Sequence, residues 1–187
     1  EVGWNRNKIM GSESIFSIGN GAMGQRANFE EDFSGKSLQG SYIGGIYYPD
    51  KTKVGWWKNG YPEYFAKVIN APNWIGISIL IDSIPLDLNK VNRVEKFERI
   101  LDMKKGLYER AFSIKMKDDL EVEIKSKRFI SMKKKSVGAI SFKIRCNRDV
   151  KISLSPYIGF DVSNDDSNWD EKFWETKEKI NTQNKSL

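Results

Sequence analysis

A chain of 187 residues can build one sizeable core but is short for two. Its single cysteine and complete lack of histidine exclude an internal disulfide, a zinc site, a Ser-His-Asp triad and a Cys-His dyad within the chain. The 31 lysines and arginines outnumber 25 acids for a net charge of +6, but the two signs interleave, as in Glu121-Val122-Glu123-Ile124-Lys125, so nucleic acid is not an expected partner.

Residues 1–12 are polar and rich in glycine and asparagine, which predicts a lead-in arm. Glu13–Phe29 follows with Gly19, Gly21 and Gly24 at the G-x-G-x-x-G spacing. That spacing marks a dinucleotide site only between a strand and a helix of a βαβ unit, and no such frame surrounds it. A tight backbone bend between short extended pieces is the expectation. Glu30, Glu31 and Asp32 come next. Neighbours in an extended chain point to opposite faces, which predicts solvated carboxylates rather than an acid–base pair.

Ser41–Tyr48 reads as a strand leading into Gly55–Trp74, GWWKNGYPEYFAKVINAPNW. The turn signals Lys58-Asn59-Gly60, Tyr61-Pro62 and Ala71-Pro72-Asn73 disfavour one long helix there. The result expected is a shaped aromatic loop, with Trp56, Trp57, Lys58, Asn59, Tyr61, Tyr64 and Trp74 as its candidate functional residues. Such aromatics cover a core, anchor a contact with another domain, or form a stacking platform for sugar.

From Trp74 onward the period is close to two. Ile75, Ile77, Ile79 and Ile81 share a face; Leu120, Val122, Ile124 and Ile130 share another, opposite Glu121, Glu123, Lys125 and Lys127. Ile140, Phe142, Ile144 and Cys146 alternate with polar residues, and Val150, Ile152, Leu154, Pro156 and Ile158 continue the pattern. Alternation of this kind predicts half-buried strands, with Cys146 as a core filler. The links Lys117–Asp119, Lys133–Lys135 and Asn147–Asp149 are too short for parallel crossovers, so the strands are expected to be antiparallel neighbours in a large all-β sandwich. Asp161–Asp170 holds four aspartates without calcium-loop spacing and is expected to be a loop, and no metal site is expected. Glu171–Leu187 reads either as a last strand or as the point where a larger sheet is cut. No apolar stretch reaches the roughly 18–20 residues of a membrane span and no signal-peptide pattern opens the chain, so a cytoplasmic location is expected.

The stretch ESIFSIGNGAMGQRANFEE (residues 13–31) resembles the N-terminal signature of glycoside hydrolase family 65, ESIFSLGNGYLGVRGNFEE. GSYIGGIYY, NAPNW, ILDMKKGLYERAF and KSKRFISM follow in that family's order, so the resemblance covers about residues 9–175. Two differences stand out: Ala22-Met23 replaces an aromatic or leucine after Gly-Asn-Gly, and Ala27 replaces a glycine. YYPDKTKVGWWKNGYPEYFAKVINAPNW and DVSNDDSNWDEKFWE are most similar to the branch of the family that phosphorolyses maltose.

This resemblance implies the N-terminal β-sandwich of a two-part enzyme, followed beyond residue 187 by a helical linker and an (α/α)6 barrel carrying the active site. The parent would convert an α-glucoside disaccharide and inorganic phosphate to glucose and β-glucose 1-phosphate with inversion, which needs a general acid on the leaving oxygen. Phosphate would be a co-substrate, with no cofactor. No catalytic residue is expected in this chain, whose partners would be its own C-terminal catalytic domain and a second copy in a homodimer. The alternatives are a carbohydrate-binding module that uses the aromatic loop, or the same domain of a trehalose, kojibiose or nigerose phosphorylase or of a hydrolase. On its own the chain is expected to expose apolar surface and to self-associate.

Overall fold

The structure, a computed structural model, describes residues 1–52, 59–164 and 172–175. Among the described residues its regular structure is almost entirely antiparallel strands. The first departure from expectation comes at the start. Within the polar arm, a 3-10 turn at Arg6–Lys8 is capped by Asn5, whose side chain accepts from the Asn7 N–H. It leads into helix α1, Ile9–Ile15. Ile9 and Glu13 are four residues apart, share one face and are both buried. Seven residues with Gly11 inside them are too few for a 3.6-residue period to show in sequence.

Strands β1 (Ile18–Gly19), β2 (Met23–Gln25) and β3 (Ser41–Ile43) form a small sheet, and the Gly-rich stretch is the β1–β2 hairpin. Gly21 sits at φ +83° in its turn, a conformation that side chains resist. The strand expected over Ser41–Tyr48 is instead two, divided at Gly44-Gly45, where Gly45 has φ +86°. Among the described residues the second, β4 (Tyr47–Lys51), pairs with β5 (Tyr64–Val68) alone, as a two-stranded ribbon.

The sandwich proper has two layers. One is the short sheet of β6 (Ile77–Ile81) and β7 (Ile84–Pro85), with β12 (Ile152–Pro156) on the other side of β6. The other is a four-stranded meander of β8 (Arg93–Asp102), β9 (Leu107–Lys115), β10 (Glu121–Ile130) and β11 (Gly138–Cys146), in the order β11-β10-β9-β8. The lysine triplet is the exposed β10–β11 turn. Ile79 and Ile81 from the first layer pack on Phe97, Phe112, Val122 and Ile124 from the second, joined by Phe29, Leu86 and Leu88. Burying a large apolar side chain contributes about 1.5–3 kcal/mol, so this cluster holds the layers together. The outer face of the meander carries the charges. Lys125–Glu123 at 3.0 Å, Lys127–Glu109 at 2.9 Å and Lys115–Glu121 at 3.5 Å lie on it, and exposed pairs of this kind contribute only about 0–1 kcal/mol each.

A second cluster, Ile18, Ala27, Tyr108 and Ile130, joins the small sheet to the meander and receives Trp74 at its edge. The Trp74 ring packs against Gly138, where an added Cβ would come 2.4 Å from ring carbon Cη2. Gly138→Ala therefore forces the indole from its seat. The expected cost is about 1–3 kcal/mol, read as a lower urea midpoint. An unchanged midpoint would show that the ring can move aside freely.

Candidate functional site

The residues singled out in the aromatic loop do not form one site. Trp56, Trp57 and Lys58 lie outside the described residues. Asn59 and Tyr61 are exposed at the tip of the β4–β5 ribbon, with Gly60 at φ +88° between them. Tyr64 opens β5 and is also exposed, with the Lys51 ammonium 5.8 Å from its ring centre. Trp74 is elsewhere, seated in the second cluster on Gly138.

Register explains how the ribbon divides. Tyr47 pairs with Val68, Pro49 with Ala66 and Lys51 with Tyr64, so these six share a face, and all six are exposed. The other face holds Tyr48, Asp50, Phe65 and Lys67. There the Lys67 ammonium meets Asp50 at 3.1 Å, both buried, and Tyr48 packs on Phe173 at 4.6 Å between ring centres. The Trp174 indole N–H donates to the Asn70 carbonyl at 2.8 Å. Asp161 pairs with Lys172. The other three aspartates of that expected loop, Asp165, Asp166 and Asp170, lie outside the described residues.

The densest chemistry sits where the sequence predicted solvent. Glu30 and Glu31 are among the most buried residues of the protein. The backbone bends at Glu30, so both carboxylates turn to one side instead of alternating. Both reach Arg110 on the inner face of β9. Its Nη2 donates to Glu30 Oε2 at 2.7 Å and its Nη1 to Glu31 Oε1 at 2.6 Å, and Nη2 also bonds Glu31 Oε2. Arg128 on β10 lies 3.2 Å from Glu30 Oε1 and donates to the carbonyls of Asn28 and Arg26. The three guanidinium groups stack on rings: Arg110 over Phe29 at 4.4 Å, Arg128 over Tyr108 at 4.9 Å, and Arg99 between Phe97 and Phe29 at 4.9 and 5.3 Å. Segment 26–33 is thus clamped between the layers by arginines from two adjacent strands. The Ile77 N–H, donating to the Glu30 carbonyl at 2.8 Å, fixes it to β6.

Burial alone would raise the Glu30 pKa, but the charges of Arg128 and Arg110 outweigh it and hold the carboxyl below its usual range. Burial likewise pulls Arg110 down, and Glu31 and Glu30 overturn that and raise it. Glu13 differs. Burial dominates and lifts its pKa, against hydrogen bonds from the Ser37 hydroxyl and Leu38 N–H. The consequence for stability follows from these signs. A depressed Glu30 pKa gives stability that is complete above the unfolded value, about 4.5, and is lost as pH falls through the lower folded value. Glu30→Gln is expected to flatten that acid-side loss in urea midpoints measured between pH 3 and 6, while lowering stability at neutral pH. A variant whose midpoint falls with acid as steeply as the parent's would contradict the clamp.

Carboxylates sealed from water and paired with arginine are not placed to shuttle protons to a substrate. Their work is structural. Their burial is not legible in sequence, because neighbours in an extended chain point to opposite faces. The signal was present in the partners, since Arg110 and Arg128 fall on the buried phase of β9 and β10, in step with Phe112 and Ile124. Among the described residues, no group of three or more His, Cys, Asp or Glu could hold a metal ion, and no helix is long and apolar enough to cross a membrane.

Comparison with known proteins gives one consistent family. The profile described as "Glycosyl hydrolase family 65, N-terminal domain" matches residues 1–186. Maltose phosphorylase of Bacillus subtilis (strain 168) is 48% identical over 168 residues, 89% of this chain and 22% of that protein. Alpha,alpha-trehalose phosphorylase of Thermoanaerobacter brockii is 34% identical, covering 82% of this chain and 20% of that protein. A solved structure of a candidate kojibiose phosphorylase from the human microbiome superposes with a TM-score of 0.77 at 33% identity, over 87% of this chain and 21% of its own. The chain thus spans about a fifth of the length of these relatives.

Proposed function

Because the chain belongs to glycosyl hydrolase family 65, as its N-terminal domain, we propose that it is the non-catalytic β-sandwich of an α-glucoside phosphorylase that acts on maltose. The observation carrying this reading is the 48% identity to a maltose phosphorylase across 89% of the chain, against 34% to the trehalose enzyme. In the parent, inorganic phosphate attacks the glucosyl carbon while a general acid in the catalytic region protonates the departing oxygen, giving glucose and β-glucose 1-phosphate. This domain supplies no group to that step. Its buried charges are committed to its own interior.

Its contribution is support. A two-stranded ribbon is marginal by itself, and the ribbon here presents Tyr47, Tyr64 and Val68 to solvent on one face. We assign that face as a contact for the catalytic region, with Tyr61 at its tip. The second copy expected in a homodimer is the other surface the parent offers. The testing experiment is an assay of the full-length enzyme with phosphate and a panel of maltose, trehalose, kojibiose and nigerose. Maltose is expected to be consumed fastest, with glucose 1-phosphate as product. Preference for another disaccharide, or release of free glucose alone, would overturn the assignment.

A further inference from the structure

We propose that the outer edge of β11 is a strand-addition site, occupied in the full-length enzyme by a β-strand from the polypeptide that follows Leu187. The inference rests on the reading of the chain as the first part of a longer phosphorylase. Its basis is an asymmetry between the two ends of the meander.

At the β8 end the middle of the edge is covered. The N-terminal arm lies against it, with the Gly3 N–H donating to the Phe97 carbonyl at 2.8 Å and the Arg99 N–H to the Glu1 carbonyl at 2.9 Å. At the β11 end, no strand among the described residues pairs with the outer edge. The ladder phase there is fixed by two bonds, Asn147 N–H to the Glu121 carbonyl at 3.2 Å and Ser131 N–H to the Val137 carbonyl at 2.9 Å. Antiparallel hydrogen-bonded pairs recur every second residue, so Ser141, Lys143 and Arg145 donate towards β10. The N–H groups of Ile140, Phe142 and Ile144 therefore point outward, a row of donors free to receive a strand.

The facing layer shows what that strand would cover. Ile152 and Leu154 on β12 pair with Ile81 and Ile79, and so lie on the same inward face. Yet Leu154 is 52% exposed where Ile79 is 1% exposed. The short layer reaches past the meander, and no described strand lies opposite its last one. The link Asn147–Lys151 joins β11 directly to β12, so the open edge and the uncovered face border the same side of the sandwich. One strand beside β11 would fill both needs. β12 is the poorer edge for pairing, because Pro156 has no N–H to offer.

Two features favour the same polypeptide over a second copy. Pairing two β11 edges about a two-fold axis near Ile144 would set Lys143 of one copy against Arg145 of the other, and like charges across strands repel. The chain also spans only 22% of the maltose phosphorylase it resembles, which leaves ample polypeptide to supply a strand.

The test is residue-resolved hydrogen exchange on the wild-type full-length enzyme at two concentrations. The Ile140, Phe142 and Ile144 amides are expected to exchange within about tenfold of the Ser141, Lys143 and Arg145 amides, at both concentrations. Exchange about a thousandfold faster than those neighbours would overturn the proposal, and so would protection that disappears on dilution, which would mark a second copy as the occupant. As an independent readout, Leu154→Cys in the full-length enzyme is expected to resist N-ethylmaleimide until the protein is unfolded, and ready modification in the native state would contradict coverage. Phosphorolysis is assayed separately. An inactive enzyme with protected β11 amides would sink the functional reading while leaving strand addition standing.

Discussion

Arg110→Ala is expected to destabilise the sandwich by roughly 3–5 kcal/mol, the usual cost of removing one partner from a buried ion pair. The magnitude follows from what the arginine leaves behind. Glu30 and Glu31 have fully buried side chains, and Arg110 donates three hydrogen bonds to them from the inner face of β9. Without it, Arg128 alone faces two carboxylates, and only Glu30 lies within its reach. The truncation also removes a cation stacked 4.4 Å from Phe29 and 5.0 Å from Phe112, which opens a void at the centre of the main cluster. Arg110→Lys keeps the charge but not the two-pronged geometry that serves both glutamates, so it should fall between the parent and the alanine variant. Urea unfolding followed by tryptophan fluorescence measures the series. A loss below about 1 kcal/mol for Arg110→Ala would place Glu30 and Glu31 in solvent, where surface pairs have that worth.

The clamp also explains which parts of the fold could be read from sequence. Ile75, Ile77, Ile79 and Ile81, and Leu120, Val122 and Ile124, alternate without interruption, and all but Ile75, which is buried elsewhere, line the interface between layers. β8 and β9, ten and nine residues long, are not legible as strands, because Arg99 and Arg110 take positions where a hydrophobic residue would complete the pattern. A buried arginine looks polar to a periodicity argument even when its partners make it part of the core. Glu30 and Glu31 were misread for the complementary reason. A bend one residue wide puts both on one side, and no local residue announces it. Helix α1 was missed because seven residues carry too little pattern.

The aromatic loop was legible as chemistry but not as geometry. Its proline and Asn-Gly signals mark the end of a hairpin, and Gly60 has the positive φ that Asn-Gly favours. What they could not convey is that Trp74 leaves that hairpin to pack on Gly138, while Tyr47, from outside the loop, joins Tyr64 on the ribbon's exposed face. Such pairings depend on register between strands, which spacing alone does not reveal. The exposed apolar residues of the ribbon, and those of β12, agree with the expectation that the chain leaves apolar surface uncovered.

The central claim is that this domain supports a catalytic centre it does not contain. Each acid it offers to the interior is held by arginine or by hydrogen bonds of the fold, as Glu30, Glu31 and Glu13 show, which leaves none of these poised to protonate a leaving oxygen. The most direct measurement is maltose phosphorolysis by the purified 187-residue chain beside the full-length enzyme at equal molarity. The account predicts no glucose 1-phosphate above the enzyme-free blank from the chain, and steady production from the full-length enzyme. Sustained release of glucose 1-phosphate by the 187-residue chain alone would contradict it.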